Sequence, residues 1–466
     1  MIVFGTDGWR GLIARDFTFE NIQLVALATA RYVKKDFPDN SSVVIGYDTR
    51  FLSKEFASET AQVLAWQGIT VHLSDTFSST PQVSFQTKQK AAAIGVIITA
   101  SHNPPEYNGY KLKASFGGPA TPEQIARLES ELKKVAARPP KFAFKDFKIY
   151  EETKKIRLFD AKESYIRNIK KKIDIDAIKQ AGYKILYDPM YGAGINTIKD
   201  ILPNVDEIHA IYNPSFGDID HPEPIGEHLA GLIQGVKAGG YNVGLATDGD
   251  ADRLGVVDED GNFVDAHKVF VILMKYLYDY KKKRGAVAKT VSLTSMVNKF
   301  CEKMNIKLFE TSVGFKHIAK LMNEEKILIG GEESGGLGTI LHIPERDGIF
   351  NGMLLLEAMA VQKKSLKQLC AELDEEFGVH IFQRRDVRVT PQLKKQILAA
   401  CEKMPKRIGR YDVTDTNTKD GFKFFVDNGW LLIRASGTEP LIRFYSEADS
   451  IAKVSELLDE GMKLKR

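Results

Sequence analysis

The sequence predicts an α/β protein with several domains, and three observations support this expectation. Short apolar runs, typical of buried strands, alternate with segments of helical periodicity along almost the whole chain. The chain has 466 residues, of which 43% are hydrophobic and 27% charged, so it is long enough to form several ordinary globular cores. A strand followed by a glycine-rich polar loop recurs along the chain, which indicates similar domains facing one cleft.

The first predicted domain spans residues 1–150 and contains both kinds of element. Apolar runs predict its strands, and one helix begins after Thr121 with Pro122 in its first turn, a position that favours proline. A polar stretch at 138–147 then predicts a linker. The predicted elements are strand 42–48, helix 53–67, strand 71–73, strand 95–99 after another helix, and helix 121–137.

Three further domains are predicted at 151–260, 261–372 and 373–466. Each combines apolar strand-like runs with helical periodicity, as the first does. The predicted elements are strand 184–188, a helix after Gly194, strand 243–247, a hairpin at 254–264, a helix from His267, strands 290–293 and 327–330, helix 348–362, strands 430–435 and 441–446, and a final amphipathic helix.

Composition argues against several classes of partner. The net charge is only +4, from 65 basic and 61 acidic residues, so no overall field favours nucleic acid or a membrane. The three cysteines are widely separated and form no Cys-x-x-Cys pair, which fits a reducing compartment. The amino terminus lacks the pattern of a signal peptide, and no apolar run is long enough for a membrane span. We therefore expect a soluble cytoplasmic protein with neither a nucleic-acid nor a membrane partner.

The first motif with chemical potential surrounds Ser101. The apolar run at 94–98 predicts a buried strand ending in a loop, and two prolines prevent that loop from continuing as helix. A serine displayed at a strand end, with His102 beside it and Lys111 after an Asn-Gly turn, is suited to nucleophilic chemistry. A plain strand-end turn is the alternative interpretation of this segment.

The second motif places Asp248, Asp250 and Asp252 at alternate positions of a loop, where their carboxylates can converge on one hard cation. A calcium-binding EF-hand is one alternative, since Glu259 falls at the twelfth position of such a loop. Arg253 occupies the sixth position, which requires glycine, and the flanks predict strands rather than helices. An aspartyl nucleophile of the haloacid dehalogenase type and a solvated acidic turn are further alternatives.

Two glycine-containing loops complete the set. Glu332 and Ser334 lie in a loop after an apolar strand, with side chains suited to bind sugar hydroxyls. The loop lacks the lysine of a P-loop and the glycine that a nucleophile elbow requires. A plain glycine-rich turn is the alternative.

The other loop begins at Arg434 and lies between two strands. It carries Ser436, Gly437 and Thr438, with Arg443 beyond. Hydroxyls, a free glycine amide and guanidinium groups favour an anion such as phosphate. A hydroxyl-rich hairpin is the alternative.

Together these motifs resemble those of the α-D-phosphohexomutases, the phosphoglucomutase and phosphomannomutase family. The matching segments are FGTDGWRG at 4–11, TASHNP at 99–104, DGDADR at 248–253, GEESG at 331–335 and RASGTEP at 434–440. The resemblance covers the whole chain. It implies four domains around a central cleft, three similar α/β domains and a smaller, movable C-terminal α+β domain.

The resemblance also implies a mechanism. Phosphorylated Ser101 gives its phosphoryl group to a hexose phosphate, and the resulting bisphosphate turns end for end and returns the other phosphate. The phosphoserine and the three aspartates hold Mg²⁺, and glucose 1,6-bisphosphate serves as intermediate and activator. Arg10, His102 and Lys111 lie beside the phosphoserine. The implied sugar and phosphate contacts are Arg253, Gly314, Lys316, Glu332, Ser334, Arg346, Arg434, Ser436, Gly437, Thr438 and Arg443.

One position departs from the family pattern. Many members carry a histidine with a proton-transfer role just after Gly-Glu-x-Ser-Gly, whereas this chain has Gly336. Lys111, His342 and Arg346 are then the candidates for the acid and base. Glu333 and Arg346 resemble the glucose-specific members, so the expected substrate is glucose phosphate. A dual phosphomannomutase/phosphoglucomutase, a glucosamine or pentose mutase, and a non-catalytic calcium- or sugar-phosphate-binding protein are the alternatives, and the enzyme is expected to be a monomer or homodimer.

Overall fold

The computed structural model describes residues 2–5, 7–435 and 441–464, and it confirms the α/β class. The chain divides into two compact units, described separately below. The first contains the residues up to 284 together with 314–367, and the second contains 285–313 and the chain from 368 onward. Within the described ranges, no helix has both the length and the apolar character needed to cross a membrane.

The first sheet of the first unit carries the segment around Ser101. Its strand order is β1-β5-β4-β2-β3-β7, with β6 beside β5. The strands β4, β2, β3 and β7 are parallel, whereas β5 is antiparallel to both β4 and β1. The bounds are β1 Trp9–Leu12, β2 Ser42–Tyr47, β3 Thr70–Ser74, β4 Ile94–Ile98, β5 Tyr107–Ala114, β6 Gly118–Pro119 and β7 Ile156–Phe159.

Helices pack against this sheet, and the predicted helix start after Thr121 is confirmed. Thr121 Oγ1 accepts a hydrogen bond from the Gln124 N–H (3.3 Å), and Gln124 Oε1 accepts one from the Thr121 N–H (2.9 Å). This reciprocal capping box satisfies two of the donors that a helix start leaves unpaired. The helices are α1 Phe19–Asp36, α2 Ser53–Trp66, α3 Thr80–Gln89, α4 Pro122–Ala137 and α5 Phe147–Glu152. The domain limit at 150 stays a prediction, although the sheet also uses β7, which lies beyond it.

The second sheet carries the aspartate loop. Its order is β12-β11-β10-β8-β9, with β10, β8 and β9 parallel and the β11–β12 hairpin antiparallel, as the sequence predicts. The strands are β8 Ile185–Asp188, β9 Asp206–Glu207, β10 Val243–Thr247, β11 Leu254–Val257 and β12 Phe263–Val264. The helices here are α6 Glu163–Lys172, α7 Ile175–Ala181, α8 Thr197–Ile201 and α9 Ala230–Gly239.

The remainder of the first unit contains a two-stranded antiparallel segment and helices. The predicted helix at 348–362 is confirmed, and its residues 348–360 are buried on every face, consistent with its almost uniformly apolar sequence. The elements are α10 Ala266–Asp279, α12 Phe315–Glu324, β15 Ile327–Gly331, β16 Leu337–Thr339 and α13 Gly348–Gln362.

The second unit contains one wrongly predicted strand. The strand β13 is Ala286–Thr290 and pairs in parallel with β14 Leu308–Thr311, so the prediction at 290–293 is displaced. Val291 and Leu293 are buried, but the Leu293 N–H bonds the Thr290 carbonyl at 3.1 Å and closes a turn. The apolar pattern at 290–293 arises from buried residues of a turn, which such a pattern alone does not distinguish from a strand. The helices α11 Met296–Lys303 and α14 Leu366–Phe377 belong to the same part of the sequence.

The C-terminal region is an antiparallel sheet with helices, in the order β17-β23-β22-β21-β20. The predicted strands at 430–435 and 441–446 and the final helix are confirmed. The bounds are β17 Ile381–Arg388, α15 Pro391–Glu402, β18 Arg407–Ile408, β19 Tyr411–Asp412, β20 Asp415–Asn417, β21 Phe422–Val426, β22 Gly429–Ala435, β23 Leu441–Ala448 and α16 Ile451–Lys463.

Candidate active site

The predicted nucleophile, Ser101, lies in the loop that follows β4. Its side chain is buried, and Oγ donates a hydrogen bond to Asp248 Oδ2 at 2.9 Å. The Ser101 backbone has φ of +56°, in the left-handed region that non-glycine residues adopt only at a cost. Its N–H donates to Thr99 Oγ1 at 2.8 Å. The hydroxyl therefore faces the aspartate loop, from a backbone that its surroundings hold in place.

The three aspartates follow β10 in a tight, fully buried loop. One ligand oxygen from each lies within 4.8 Å of the others. Asp248 Oδ1 accepts the backbone N–H groups of Asp252 and Arg253, at 2.9 and 3.0 Å, which closes the loop. Gly249 is required because a Cβ there would collide with the Ser101 carbonyl. The flanking elements are the strands β10 and β11, so the helices of an EF-hand are absent at this described loop.

The donor set fits a divalent cation. Oδ1 of Asp250 and Oδ1 of Asp252 are buried and have no hydrogen-bond partner among the described residues. Burial, with the charges of Asp252 and Asp250, raises the pKa of Asp248 well above its usual value. A hard cation between these carboxylates would relieve their repulsion and occupy the unpaired oxygens.

Lys111 contacts two of these aspartates, Asp250 and Asp252, but from a different local structure than predicted. Its strand β5 includes Asn108 and Gly109, so the expected Asn-Gly turn before Lys111 is wrong. The ammonium lies 2.8 Å from Asp250 Oδ2 and 2.9 Å from Asp7 Oδ2. Burial lowers the pKa of Lys111, but the carboxylates outweigh that effect and raise it above its usual value. Lys111 is therefore a fixed cation in this arrangement rather than a free base.

Arg346 packs against Gly336, the position at which the chain departs from the family pattern. Its Nη2 lies 2.6 Å from both Asp7 Oδ2 and Asp252 Oδ2, and its Nη1 lies 3.4 Å from Glu332 Oε2. A Cβ at Gly336 would collide with Cδ of Arg346. The absence of a side chain at Gly336 therefore allows the Arg346 guanidinium to reach three carboxylates.

His342 is held in a structural environment. Its ring stacks on Phe350, with centroids 4.6 Å apart and planes 3° apart. Nε2 lies 3.0 Å from Asp347 Oδ2, and Nδ1 lies 3.0 Å from Asn168 Nδ2. Asp347 also caps α13 and accepts the Tyr165 hydroxyl. Both nitrogens are engaged with structural groups, so the geometry does not support His342 as the acid or base.

The predicted sugar loop brings Glu332 and Gly314 together. Glu332 Oε1 accepts the Gly314 N–H at 3.0 Å. Burial raises the pKa of Glu332 to about 7, although Arg346 opposes the shift. Ser334 lies half-buried in the turn after Glu332, and Lys316 lies half-buried in the first turn of α12.

Two further arginines of the first unit, Arg253 and Arg10, have polar side-chain partners. Arg253 Nη1 bonds Glu223 Oε1 at 2.6 Å, and Arg10 bonds the side chain of Asn103 in the Ser101 loop. His102 Nδ1 lies 3.4 Å from Ser101 Oγ. Burial, together with nearby arginines and lysine, holds the pKa of His102 well below its usual range, so the imidazole is neutral.

The predicted phosphate loop belongs to the second unit. Arg434 and Arg443 are direct cross-strand neighbours on β22 and β23. Arg434 Nε lies 2.9 Å from Asp420 Oδ2, and Arg443 Nε lies 3.3 Å from Asp386 Oδ2. The other predicted members, Ser436, Gly437 and Thr438, lie outside the described residues.

Four residues near the site were not singled out from the sequence: Asp7, Arg50, Thr80 and Glu223. Thr80 Oγ1 donates to Asp250 Oδ2 at 2.5 Å, and its N–H donates to the Asp250 carbonyl at 2.9 Å. The sequence did contain a signal for Asp7, because this residue lies inside the amino-terminal motif at 4–11. Arg50 had a weaker signal, a position just after β2, whose carboxyl end shares a sheet edge with β4.

Comparison with protein families gives one consistent result. The model described as "Phosphoglucomutase/phosphomannomutase, alpha/beta/alpha domain I" matches residues 1–139. The corresponding models for domain II, domain III and the C-terminal domain match 163–261, 265–377 and 386–464. The four matches follow the domain order that the sequence predicts.

Full-length relatives agree. A phosphoglucomutase/phosphomannomutase of Thermococcus kodakarensis is 32% identical, over 99% of this chain and 98% of the relative. A phosphoglucosamine mutase of Carboxydothermus hydrogenoformans is 30% identical, with 98% of each chain covered. The crystal structure of a Thermus thermophilus protein, provisionally named a phosphomannomutase, superposes with a TM-score of 0.86 at 33% identity, covering 99% of this chain and 98% of that one.

Proposed function

Because the chain belongs to the phosphoglucomutase/phosphomannomutase family, and is thus a phosphohexomutase, we propose that its substrate pair is glucose 1-phosphate and glucose 6-phosphate. The proposed reaction proceeds through a phosphoserine at Ser101 and a glucose 1,6-bisphosphate intermediate. The observation that carries the proposal is the hydrogen bond of 2.9 Å from Ser101 Oγ to a buried aspartate cluster. A cytoplasmic location and a monomeric or homodimeric state belong to the same proposal.

Mg²⁺ is the proposed metal, held by Asp248, Asp250, Asp252 and the phosphorylated Ser101. When bound, the ion neutralises charge on the phosphoryl group during transfer. The unpaired Oδ1 atoms of Asp250 and Asp252 support this assignment.

The chain's own residues supply positioning and fixed charge. Ser101 Oγ accepts and returns the phosphoryl group. Lys111 and Arg346, both tied to aspartates, place positive charge beside it without needing to lose a proton. Arg10 lies at the same loop and adds to this charge. Phosphoryl transfer depends mainly on positioning and charge stabilisation, so fixed cations suit either direction of the reaction.

The remaining predicted residues recognise the sugar and its second phosphate. Glu332 accepts hydrogen bonds from sugar hydroxyls, with Ser334, Gly314 and Arg253 around it. The distal phosphate binds the loop of the second unit. Tolerance of both sugar orientations lets one nucleophile process both ends of the bisphosphate. The proposed distal contacts are Lys316, Arg434, Ser436, Gly437, Thr438 and Arg443.

The proposed glucose specificity is supported by Glu333 and Arg346, which resemble the glucose-specific members, with Gly336 at the position of the usual histidine. The names of the relatives favour two alternatives. The Thermococcus protein is named for both glucose and mannose phosphates, and the Carboxydothermus protein for glucosamine phosphate. A mutase acting on glucosamine phosphate is therefore the second candidate function.

The test is a side-by-side measurement of kcat/KM for glucose 1-phosphate, mannose 1-phosphate and glucosamine 1-phosphate. Each assay contains Mg²⁺ and a trace of the matching 1,6-bisphosphate. We expect a preference for glucose of about 100-fold over each competitor, a difference that one altered hydroxyl contact can produce. Equal values for glucose and mannose would establish a dual-specificity mutase, and a preference for the amino sugar would establish the second candidate.

A further inference from the structure

Arg50 binds the main chain of the loop that carries Ser101. It follows β2, and its side chain is completely buried. Its guanidinium donates four hydrogen bonds, all to main-chain carbonyls of that loop. The acceptors are the oxygens of Pro104 (2.7 Å) and Tyr107 (3.0 Å) for Nη1, and of Ser101 (2.7 Å) and Asn103 (2.6 Å) for Nη2.

The orientation of the guanidinium is itself fixed. Arg50 Nε lies 3.2 Å from Asp48 Oδ2. Asp48 Oδ1 accepts the Ser53 hydroxyl at 2.7 Å and the Arg50 N–H at 3.0 Å. The Phe216 ring lies 4.9 Å from Arg50 Cζ. An arginine has five N–H donors in one rigid plane. Here the four on Nη1 and Nη2 donate to main-chain oxygens, whereas Nε is in an ion pair with Asp48 and has no hydrogen-bond partner among the described residues.

These contacts determine the geometry of the nucleophile. The Ser101 N–H is held by Thr99 and its carbonyl by Arg50, so both peptide groups flanking its Cα are fixed. A non-glycine residue in the left-handed region costs on the order of 1 kcal/mol, so the φ of +56° requires support from its surroundings.

We propose that Arg50 is a positioning residue, which holds the Ser101 loop so that Oγ faces the aspartate cluster for phosphoryl transfer. The proposal rests on the mutase function above. In this proposal the loop is positioned by the planar set of N–H donors of the Arg50 guanidinium rather than by its positive charge. A lysine keeps the charge but cannot reach four carbonyls at once, so it separates the two explanations.

The experiment compares wild type, Arg50→Ala and Arg50→Lys, with Arg15→Ala as the control at an exposed arginine of the same domain. We expect kcat to fall about 100-fold in both Arg50 variants, because small misplacements of a reacting group cost that much. KM should stay near the wild-type value. Added methylguanidinium should restore part of the lost kcat in Arg50→Ala, whereas urea at the same concentration should not. Arg15→Ala should behave as wild type.

Amide hydrogen exchange gives a readout that is independent of turnover. The non-proline amides of residues 101–107 should exchange faster in both Arg50 variants and at the wild-type rate in Arg15→Ala. A folded Arg50→Ala or Arg50→Lys protein with kcat within twofold of wild type, or with unchanged exchange in this loop, would overturn the proposal, as would loss of kcat without methylguanidinium rescue. If Arg50→Ala fails to fold, the kcat and exchange of Arg50→Lys decide. If wild type turns over no hexose phosphate, the proposed function fails, while the exchange measurement still tests the loop.

Discussion

Lys111 in the first unit and Lys423 in the second are both buried lysines, yet their surroundings move their pKa values in opposite directions. Lys111 contacts carboxylates, which outweigh the effect of burial and keep it charged. Lys423 Nζ donates to the Val291 carbonyl at 2.7 Å and lies 3.9 Å from the centre of the Trp430 ring. Burial lowers the pKa of Lys423 to about 7.

The difference shows that the neighbours of a buried lysine, rather than burial itself, decide its charge. Lys111 is a permanent cation beside Asp250, where we propose that the phosphoryl group is transferred. Lys423 packs against an aromatic ring and satisfies one main-chain oxygen, so its role is structural. We therefore assign Lys111 to the proposed active site and Lys423 to the core of the second unit, and both assignments can be tested.

The largest effect is expected from substitution of Ser101 in the first unit. Ser101→Ala should lower kcat by at least about 10⁴-fold, because the covalent route is removed altogether. Binding of hexose phosphate should persist. Turnover assays together with mass spectrometry of the peptide containing Ser101 make the measurement. Ser58→Ala is the control, because the Ser58 hydroxyl donates to the Lys54 carbonyl of its own helix. Active wild-type enzyme that is never phosphorylated at Ser101 would contradict the mechanism.

The carboxylates that keep Lys111 charged are the second target. Asp250→Ala should lower both activity and the affinity for Mg²⁺, the latter by at least about 10-fold, because it removes an anionic ligand. Thermal shift at increasing Mg²⁺ measures the affinity without relying on turnover. Asp260→Ala, at an exposed aspartate, should leave the Mg²⁺ response unchanged. Full wild-type activity in the presence of a strong chelator would show that the metal assignment is wrong.

The two lysines can be compared directly by the same substitution. Lys111→Met should lower kcat/KM by about 10²–10³-fold, the usual cost of one preorganised charged contact in the transition state. Lys423→Met should leave kcat/KM unchanged, because this lysine takes no part in the proposed chemistry. Equal losses in the two variants, with both proteins folded, would remove the distinction between a chemical and a structural lysine.

The smallest effect is a dependence of stability on pH at Lys423. Its pKa is about 7 in the folded protein and about 10.4 when unfolded, so between these values the unfolded state binds the extra proton. Raising the pH through this window should therefore stabilise wild type relative to Lys423→Met, by at most about 1.4 kcal/mol per pH unit.

Denaturant unfolding of both proteins between pH 6.5 and 10 measures this dependence. The charged groups that influence Lys423 are Lys289, Glu310 and Glu447, and they remain in both proteins. Lys403→Met, at an exposed position, should show no such trend relative to wild type. A difference between wild type and Lys423→Met that stays flat with pH would mean that Lys423 is charged in the core.

Local signals in the sequence predicted much of the fold. Thr121 with Pro122 marked the start of α4, and the apolar stretch at 348–362 gave α13. The strand at 290–293 failed because burial of Val291 and Leu293 arises from tertiary packing around a turn, which the apolar pattern alone does not distinguish from a strand.

The candidate site was predictable where its chemistry is concentrated in one loop. The spacing of the three aspartates along the sequence was enough to predict that their carboxylates converge. Thr80 contacts Asp250 of that cluster, and Asp7 contacts Lys111, which bonds the same aspartate. Both come from distant parts of the chain, so no local pattern indicates what they touch. The Asn-Gly pair before Lys111 is a strong turn signal, but pairing of β5 with both neighbours overrides it.

The fit of Arg346 against Gly336 has a consequence for how this family can vary. A histidine introduced at 336 alone would collide with the arginine. Removing Arg346 alone would break the ion pair of Glu332 and leave Asp7 and Asp252 with Lys111 as their shared cation. We expect either single change to weaken the enzyme, whereas the double change substitutes one basic group for another. We therefore expect the two positions to be epistatic, so that a route between the two types of site changes both together or passes through a weakened intermediate.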